Sequence, residues 1–427
     1  MMKLFKNKEN RNKILITLGL LLLYRIGAAI TLPTIDASKL IEIGQNDLVT
    51  MMNVLGAGSW QTFTFFSMGV GPYITASIVV ELLAMDVIPA LTELKKDGKK
   101  GQEKIDKVVR CVALVLGFIQ AYGITLSYDS SYGVLKNNRL STILFTAVLL
   151  TIGSALVVYI GDLIEKKGIG NGISLLIFAG IVSSLPSQFY MTYLQLKDST
   201  WKFVLMIVLY LAILVFVLYM TEAVRKINLQ FAHNKKLTGG NISYLPLKIN
   251  SASVMPVIFT STVLTAPKTI MTLLFNFGWV QRGGFALKLY NFMDSASDLT
   301  TWWGMLLYVI MIFAFTFFYT HLQINVDEIA KNLNKNNAYI PGIRPGKDTV
   351  SHINYVLNSI TLLGSLFLVF IAILPYVVAK FTNLPSTVSI GGTSIIIVVG
   401  IALEVAKTFQ NMMLDTKYKT FAQRGWR

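Results

Sequence analysis

Residue types that do chemistry are scarce in this chain. His233, His321 and His352 are the only histidines and are widely scattered, and Cys111, the only cysteine, sits inside an apolar run. That excludes a disulfide within the chain and a cysteine-based cluster, and the sequence offers no convincing metal site. No phosphate-binding P-loop, no His-Glu-x-x-His motif and no Ser-His-Asp set is present, so the sequence predicts no catalysis and no cofactor. The chemically interesting groups that remain are charges within apolar stretches: Arg25, Glu81 and Glu404. An ionisable group at membrane depth is costly and marks a functional candidate by default. Proton-coupled transport would want several acids at mid-depth, and the sequence contains no such series.

The elements that must position these groups are long apolar runs. The chain has 427 residues, 54% hydrophobic and 14% charged, against about 25% charged in a soluble protein. A run of about 20 apolar residues crosses a bilayer core as a helix. Ten such runs are expected, at residues 14–32, 65–85, 108–128, 140–160, 172–190, 201–220, 254–274, 302–322, 355–378 and 391–412. The first follows Lys3, Lys6, Lys8, Arg11 and Lys13 like the core of a signal peptide, but no small-residue cleavage site follows it, so it is read as a retained helix.

Charge sets the orientation. Lys and Arg number 38 against 22 Asp and Glu, a net +16, and the surplus falls in alternate connections. The N-terminal tail, the 87–107 loop, the 221–253 loop and the tail after Met412 are basic; the 33–64 and 379–390 segments are not. Basic loops stay in the cytoplasm beside anionic lipid, which places both termini there. Ten spans divide into two five-span halves, 1–196 and 197–427, and an odd number per half makes the second inverted relative to the first. Inverted repeats place a pathway at their interface. Two cytoplasmic connections, 221–253 and 323–354, are long and contain turn formers such as Gly239-Gly240 and the Pro341–Gly346 segment.

Six stretches in order carry a resemblance. They are Tyr24-Arg25-Ile26-Gly27 with Leu32-Pro33-Thr34; Met68-Gly69-Val70-Gly71-Pro72-Tyr73-Ile74-Thr75; Lys167-Gly168-Ile169-Gly170-Asn171-Gly172-Ile173-Ser174; Leu245-Pro246-Leu247-Lys248 with Val254-Met255-Pro256; Tyr339-Ile340-Pro341-Gly342-Ile343-Arg344-Pro345-Gly346; and Gly391-Gly392-Thr393-Ser394. Together they resemble the SecY family of bacterial protein-translocation channel subunits. The fold this implies is an all-α integral membrane protein, ten helices in two inverted halves around an hourglass pore.

The resemblance also implies site residues. Val70, Ile74, Ile173, Ile177, Ile258 and Ile397 would form an apolar pore ring; 70/74 and 173/177 are i, i+4 pairs, so each pair shares one helix face, although packing between helices uses the same pattern. A dry waist stops ions yet yields around a passing chain. Met52, Asn53, Val54, Leu55, Gly56, Ala57 and Gly58 would belong to a short re-entrant plug, lacking the basic residue that the family often carries near Thr62. Thr75, Ile78 and Glu81 would lie on a lateral gate between spans 2 and 3 and spans 7 and 8, with Glu81 where the family usually has glutamine. Lys235, Lys236 and Arg344 would dock a motor or ribosome; the lysines stand where the family often has arginines, and positive-inside charge alone also accounts for them. Expected partners are SecE-like and SecG-like subunits, the motor ATPase SecA, the ribosome, secretory and membrane-protein substrates, and lipid. The rival readings are an accessory paralogue with restricted clients and a secondary transporter, which would need polar groups at mid-depth.

Overall fold

The computed structural model describes residues 8–36, 63–84, 88–136, 140–196, 200–231, 243–252, 254–276, 284–298, 301–382 and 392–424. Among them are thirteen helices and three short strands. The ten expected spans correspond to α1 (Lys8–Gly27), α2 (Gly71–Leu83), α4 (Lys99–Tyr132), α5 (Leu140–Lys167), α6 (Gly172–Gln195), α7 (Thr200–Glu222), α8 (Met255–Asn276), α10 (Trp302–Gln323), α12 (Lys347–Thr382) and α13 (Gly392–Arg424). Between them lie α3 (Pro89–Lys96), α9 (Gly284–Ser297) and α11 (Val326–Lys335).

Among the described residues six helices are long and apolar enough to cross a membrane, and the apolar parts of α2, α6 and α8 are shorter. The second span departs most from expectation. Helix α2 has 13 residues, about 20 Å at 1.5 Å per residue, less than a bilayer core. Residues 65–70, expected as helix, form tight turns instead. Gly69 takes φ +50° and Val70 caps α2 in the bridge region at φ −92°, ψ 0°. Gly71-Pro72 then starts the helix, where proline's missing N–H costs nothing.

The helices close into a ring. In the N-terminal half α1 packs on α5 and α6, α5 on α4, and α4 on α2. In the C-terminal half α8 packs on α10, α10 on α12, and α12 on α13. The halves meet on one side where α13 lies against α6, and on the other where α8 lies against α4 and α2. One apolar cluster, drawn from both halves, fills the middle.

The described residues of the two long connections include strands in an otherwise helical fold. β1 (Val224–Phe231) pairs antiparallel with β2 (Ser243–Lys248), Val224 opposite Lys248 and Leu229 opposite Ser243. β3 (Ala338–Tyr339), from the second connection, adds to the other edge through Gln230 opposite Tyr339, giving the order β2-β1-β3. Burial along β1 alternates, with Ile227 and Leu229 inside and Asn228 and Gln230 outside, as a half-buried strand requires. Ile227, Leu229 and Leu247 pack on Val326, Ile340, Ile353 and Leu357, so the sheet has its own core against α11 and the start of α12.

Candidate functional site

Val70, Ile74, Ile177, Ile258 and Ile397 are all buried and belong to one cluster, with the half-buried Ile173 packed against it. The structure therefore brings the six sequence-selected residues, from four helices, to one place. Ile78, Ile181 and Ile401 continue the same stripes at i+4 and join the cluster; sequence reasoning did not assign Ile181 or Ile401, although the spacing pointed to them.

Each stripe is set by how its helix begins. For α2, the turn before Val70 is clamped from both sides. Ser154 of α5 donates Oγ to the Gly69 carbonyl at 2.9 Å. Its neighbour Gly153 lies so close that a Cβ would collide with the Phe65 carbonyl oxygen, and a Cβ on Gly27 of α1 would enter the Phe66 ring. Tyr24 of α1 stacks on that ring, centroids 5.9 Å apart. The turn's own bonds, Ser67 Oγ to the Thr64 carbonyl at 2.8 Å and Gly69 N–H to the Phe66 carbonyl at 2.9 Å, satisfy backbone that would otherwise be stranded at membrane depth.

For α6, the Lys167–Ser174 motif is a tight entry. Gly170 takes φ +69°, and a Cβ on Gly172 would collide with the Gly161 carbonyl of α5. Asn171 caps the helix, its Oδ1 accepting the Ser174 N–H at 3.0 Å. Thr17 of α1 accepts the Ile169 N–H at 3.1 Å. Helix α8 starts Met255-Pro256, and the Ile258 carbonyl accepts the hydroxyls of Ser261 and Thr262 at 2.8 and 2.9 Å.

The chain matches the SecY family model over residues 64–406. It belongs to the SecY family. Among curated relatives with this SecY identity, it is 39% identical over 428 residues to protein translocase subunit SecY 1 of Lactobacillus kefiranofaciens subsp. kefiranofaciens, covering 98% of each chain. To protein translocase subunit SecY of Bacillus subtilis (strain 168) it is 41% identical over 430 residues, covering 96% of each. Two solved structures share the SecY fold at 16% identity. One, whose subject is the plug domain of the SecY protein and the closed state of the translocation channel, aligns with a TM-score of 0.67; Sec61 in the canine ribosome-channel complex aligns at 0.63. Each alignment covers 94% of this chain and 92% of the other.

The seam that SecY resemblance assigns to a lateral gate is the contact of α8 with α2 and α4. Thr75 bonds within its own helix, to the Gly71 carbonyl at 3.1 Å, rather than across the seam. Ile78 is buried in the central cluster. Glu81 is half-buried and within electrostatic reach of Tyr319 on α10 and Lys95 on α3. The opposite lip is aromatic: Phe259 meets Tyr319 and Phe315 edge-on, centroids 5.5 and 6.2 Å away. This trio was not selected from sequence, where an aromatic at helical spacing reads as ordinary core.

Arg344 is fully presented. It is exposed in a turn where Gly342 and Gly346 take φ +80° and +106°, while Ile340 anchors the turn in the sheet's core. The Arg344 carbonyl accepts the Thr349 hydroxyl at 2.9 Å, tying the turn to the start of α12. On the sheet, Lys226 stands 4.8 Å over the Tyr244 ring. Lys235 and Lys236, and the plug residues Met52 to Gly58, lie outside the described residues.

Proposed function

We propose that this chain is the central pore-forming subunit of a Sec protein-translocation channel in a bacterial cell membrane, with both termini in the cytoplasm. Unfolded secretory chains pass through the waist, and apolar segments leave sideways through the seam between α2, α4, α8 and α10. The observation that supports this reading is the convergence of six branched apolar side chains from four helices on one apolar cluster drawn from both halves. An ion entering it sheds water and finds no ligand, whereas branched side chains can part around a polypeptide. A secondary transporter would instead gather polar groups at that depth.

On the cytoplasmic side, the sheet and the Arg344 turn form the docking platform for the motor ATPase SecA and for the ribosome. ATP is hydrolysed in the motor, and the channel itself catalyses nothing. Relatives of the fold are described in ribosome complexes, which supports that partner. SecE-like and SecG-like subunits complete the assembly.

The test is conductance. Ile258→Asn with Ile397→Asn gives water a foothold in the waist and should raise resting ion conductance in planar bilayers by about tenfold or more. Because the 52–58 segment can mask the effect, the measurement is repeated with those residues deleted. A double variant that stays as tight as the parent in that background removes these side chains from the pore.

A further inference from the structure

Four of the most exposed large apolar side chains among the described residues lie at one end of α10: Phe285 at 79% and Phe292 at 70% on α9, and Trp302 at 74% and Trp303 at 73% in the first turn of α10. Span length fixes their depth. Helix α10 has 22 residues, about 33 Å at 1.5 Å per residue, close to the thickness of a bilayer core. Its two tryptophans therefore stand at the edge of the core, the level at which amphipathic rings settle. That edge is opposite the strand-bearing connections, one of which follows the other end of α10. Exposed Leu306 and Ile310 continue the Trp303 stripe at i+3 and i+7, so this face of α10 is turned to lipid.

The end of α9 is tied to the same level. Thr301 donates its hydroxyl to the Ser295 and Asp298 carbonyls, each 2.7 Å away, and a Cβ on Gly304 would collide with the Asp298 carbonyl. The inner face of α9 rests on α8: Ser297 Oγ donates to the Leu264 carbonyl at 2.7 Å, and the Tyr290 ring centroid lies 5.5 Å from that of Phe275. Phe285, Lys288, Phe292 and Ser295 are all exposed and share another stripe of the helix, at i, i+3, i+7 and i+10. Phe292 precedes Ser297 by five residues, so whatever the tilt it stands at most about 8 Å farther out. That keeps it within a headgroup layer of about 5–8 Å per leaflet. Lys288 lies one turn beyond. An aromatic ring with a cation one turn farther out matches the order of the layer, acyl boundary first and phosphate next.

We propose that α9 is an interfacial anchor whose exposed stripe seats in the phospholipid headgroup layer of the leaflet opposite the platform, with Phe292 at the acyl boundary and Lys288 on lipid phosphate. Lipid is the occupant because the stripe adjoins the lipid-facing surface of α10 and sets a cation where phosphate lies. Since α9 joins α8 to α10, the anchor holds those two helices at one depth. The proposal needs α10 to cross a bilayer and nothing of what passes through the waist.

The experiment uses the full chain with its co-purifying subunits in vesicles of phosphatidylethanolamine and phosphatidylglycerol. Cys111, the only cysteine of the chain, is removed as Cys111→Ser. A single spin label is then placed through Phe292→Cys or Phe285→Cys, with Ile310→Cys as the lipid standard and Lys335→Cys, exposed on α11, as the aqueous one. The readout is the ratio of collision rates with oxygen, which concentrates in lipid, and with a water-soluble nickel chelate. The ratio at 292 should exceed the aqueous standard by about threefold or more, with a smaller rise at 285. Ser295→Cys, on the same stripe, serves if Phe292→Cys does not fold. A ratio at 292 equal to the aqueous standard overturns the proposal, and so does protection from both reagents, which marks a protein partner on the stripe. If Ile310 also reads as aqueous, α10 does not cross the bilayer and the proposal falls with it.

Discussion

The central apolar cluster, read above as the waist, and the strand-bearing connections, read above as the platform, are built by opposite means. At the waist, the side chains come from helices far apart in sequence, and their positions depend on where each helix begins: the clamped turn before α2 and the glycine entry to α6. The platform is held by its own backbone ladder and its own small core. The first arrangement is sealed by contacts that carry no hydrogen bonds between the meeting side chains, so the helices can part without stranding polar groups. The second is cross-linked by main-chain bonds that resist shear. The function proposed above, a channel that opens while a motor pushes on one face, needs this division.

The largest expected effect separates the two regions at the waist. Gly153→Val drives a side chain into the Phe65 carbonyl and should cost about 3 kcal/mol or more, read as a lower thermal unfolding midpoint in detergent. A midpoint equal to the parent's would mean that the turn before α2 has another way to pack.

Next comes the converse lesion. Ile353→Ala removes a fully buried side chain from the platform core and should cost about 2–4 kcal/mol. The loss should be local. Amide exchange should accelerate in β1 and β2 while α2 and α6 stay protected, and acceleration spread evenly over both regions would erase the distinction.

Arg344→Glu reverses one exposed charge without touching either core. Motor-driven transport in vesicles should fall by about tenfold, about 1.4 kcal/mol, with resting conductance unchanged. Undiminished transport takes Arg344 out of docking. The smallest effect is Thr17→Val, which strips the acceptor from the Ile169 N–H and should lower stability by about 1 kcal/mol; Thr17→Ser should restore the parent midpoint.

Much of the central apolar cluster was legible because branched residues at i, i+4 mark one helix face wherever that face leads. What spacing cannot say is where a helix stops. Phe65 and Phe66 are apolar and extend the second span on paper, yet Gly69 and the Gly71-Pro72 pair cut it short. The strands were legible in principle, since Ile227 and Leu229 alternate with Asn228 and Gln230, but the surrounding lysines and arginines drew attention to charge. Helix α11 likewise announced itself through Asn325, whose Oδ1 caps it by accepting the Glu328 N–H at 3.2 Å, and through apolar Val326 and Ala330 four apart. The aromatic lip was not legible, because only tertiary contact sets Phe259 against Phe315 and Tyr319.

The shortness of α2 has an electrostatic consequence. A helix that starts at Gly71 turns the positive end of its peptide dipoles, about half an elementary charge, toward Val70. Helix α6 starts at Gly172, one residue before Ile173, and does the same. Two such ends facing an oily constriction make it a worse place for a cation than for an anion. In the channel proposed above, the seal therefore discriminates by sign as well as by hydration. Whatever current leaks through a wetted waist should be carried mainly by anions, and the reversal potential in a chloride gradient reads that directly.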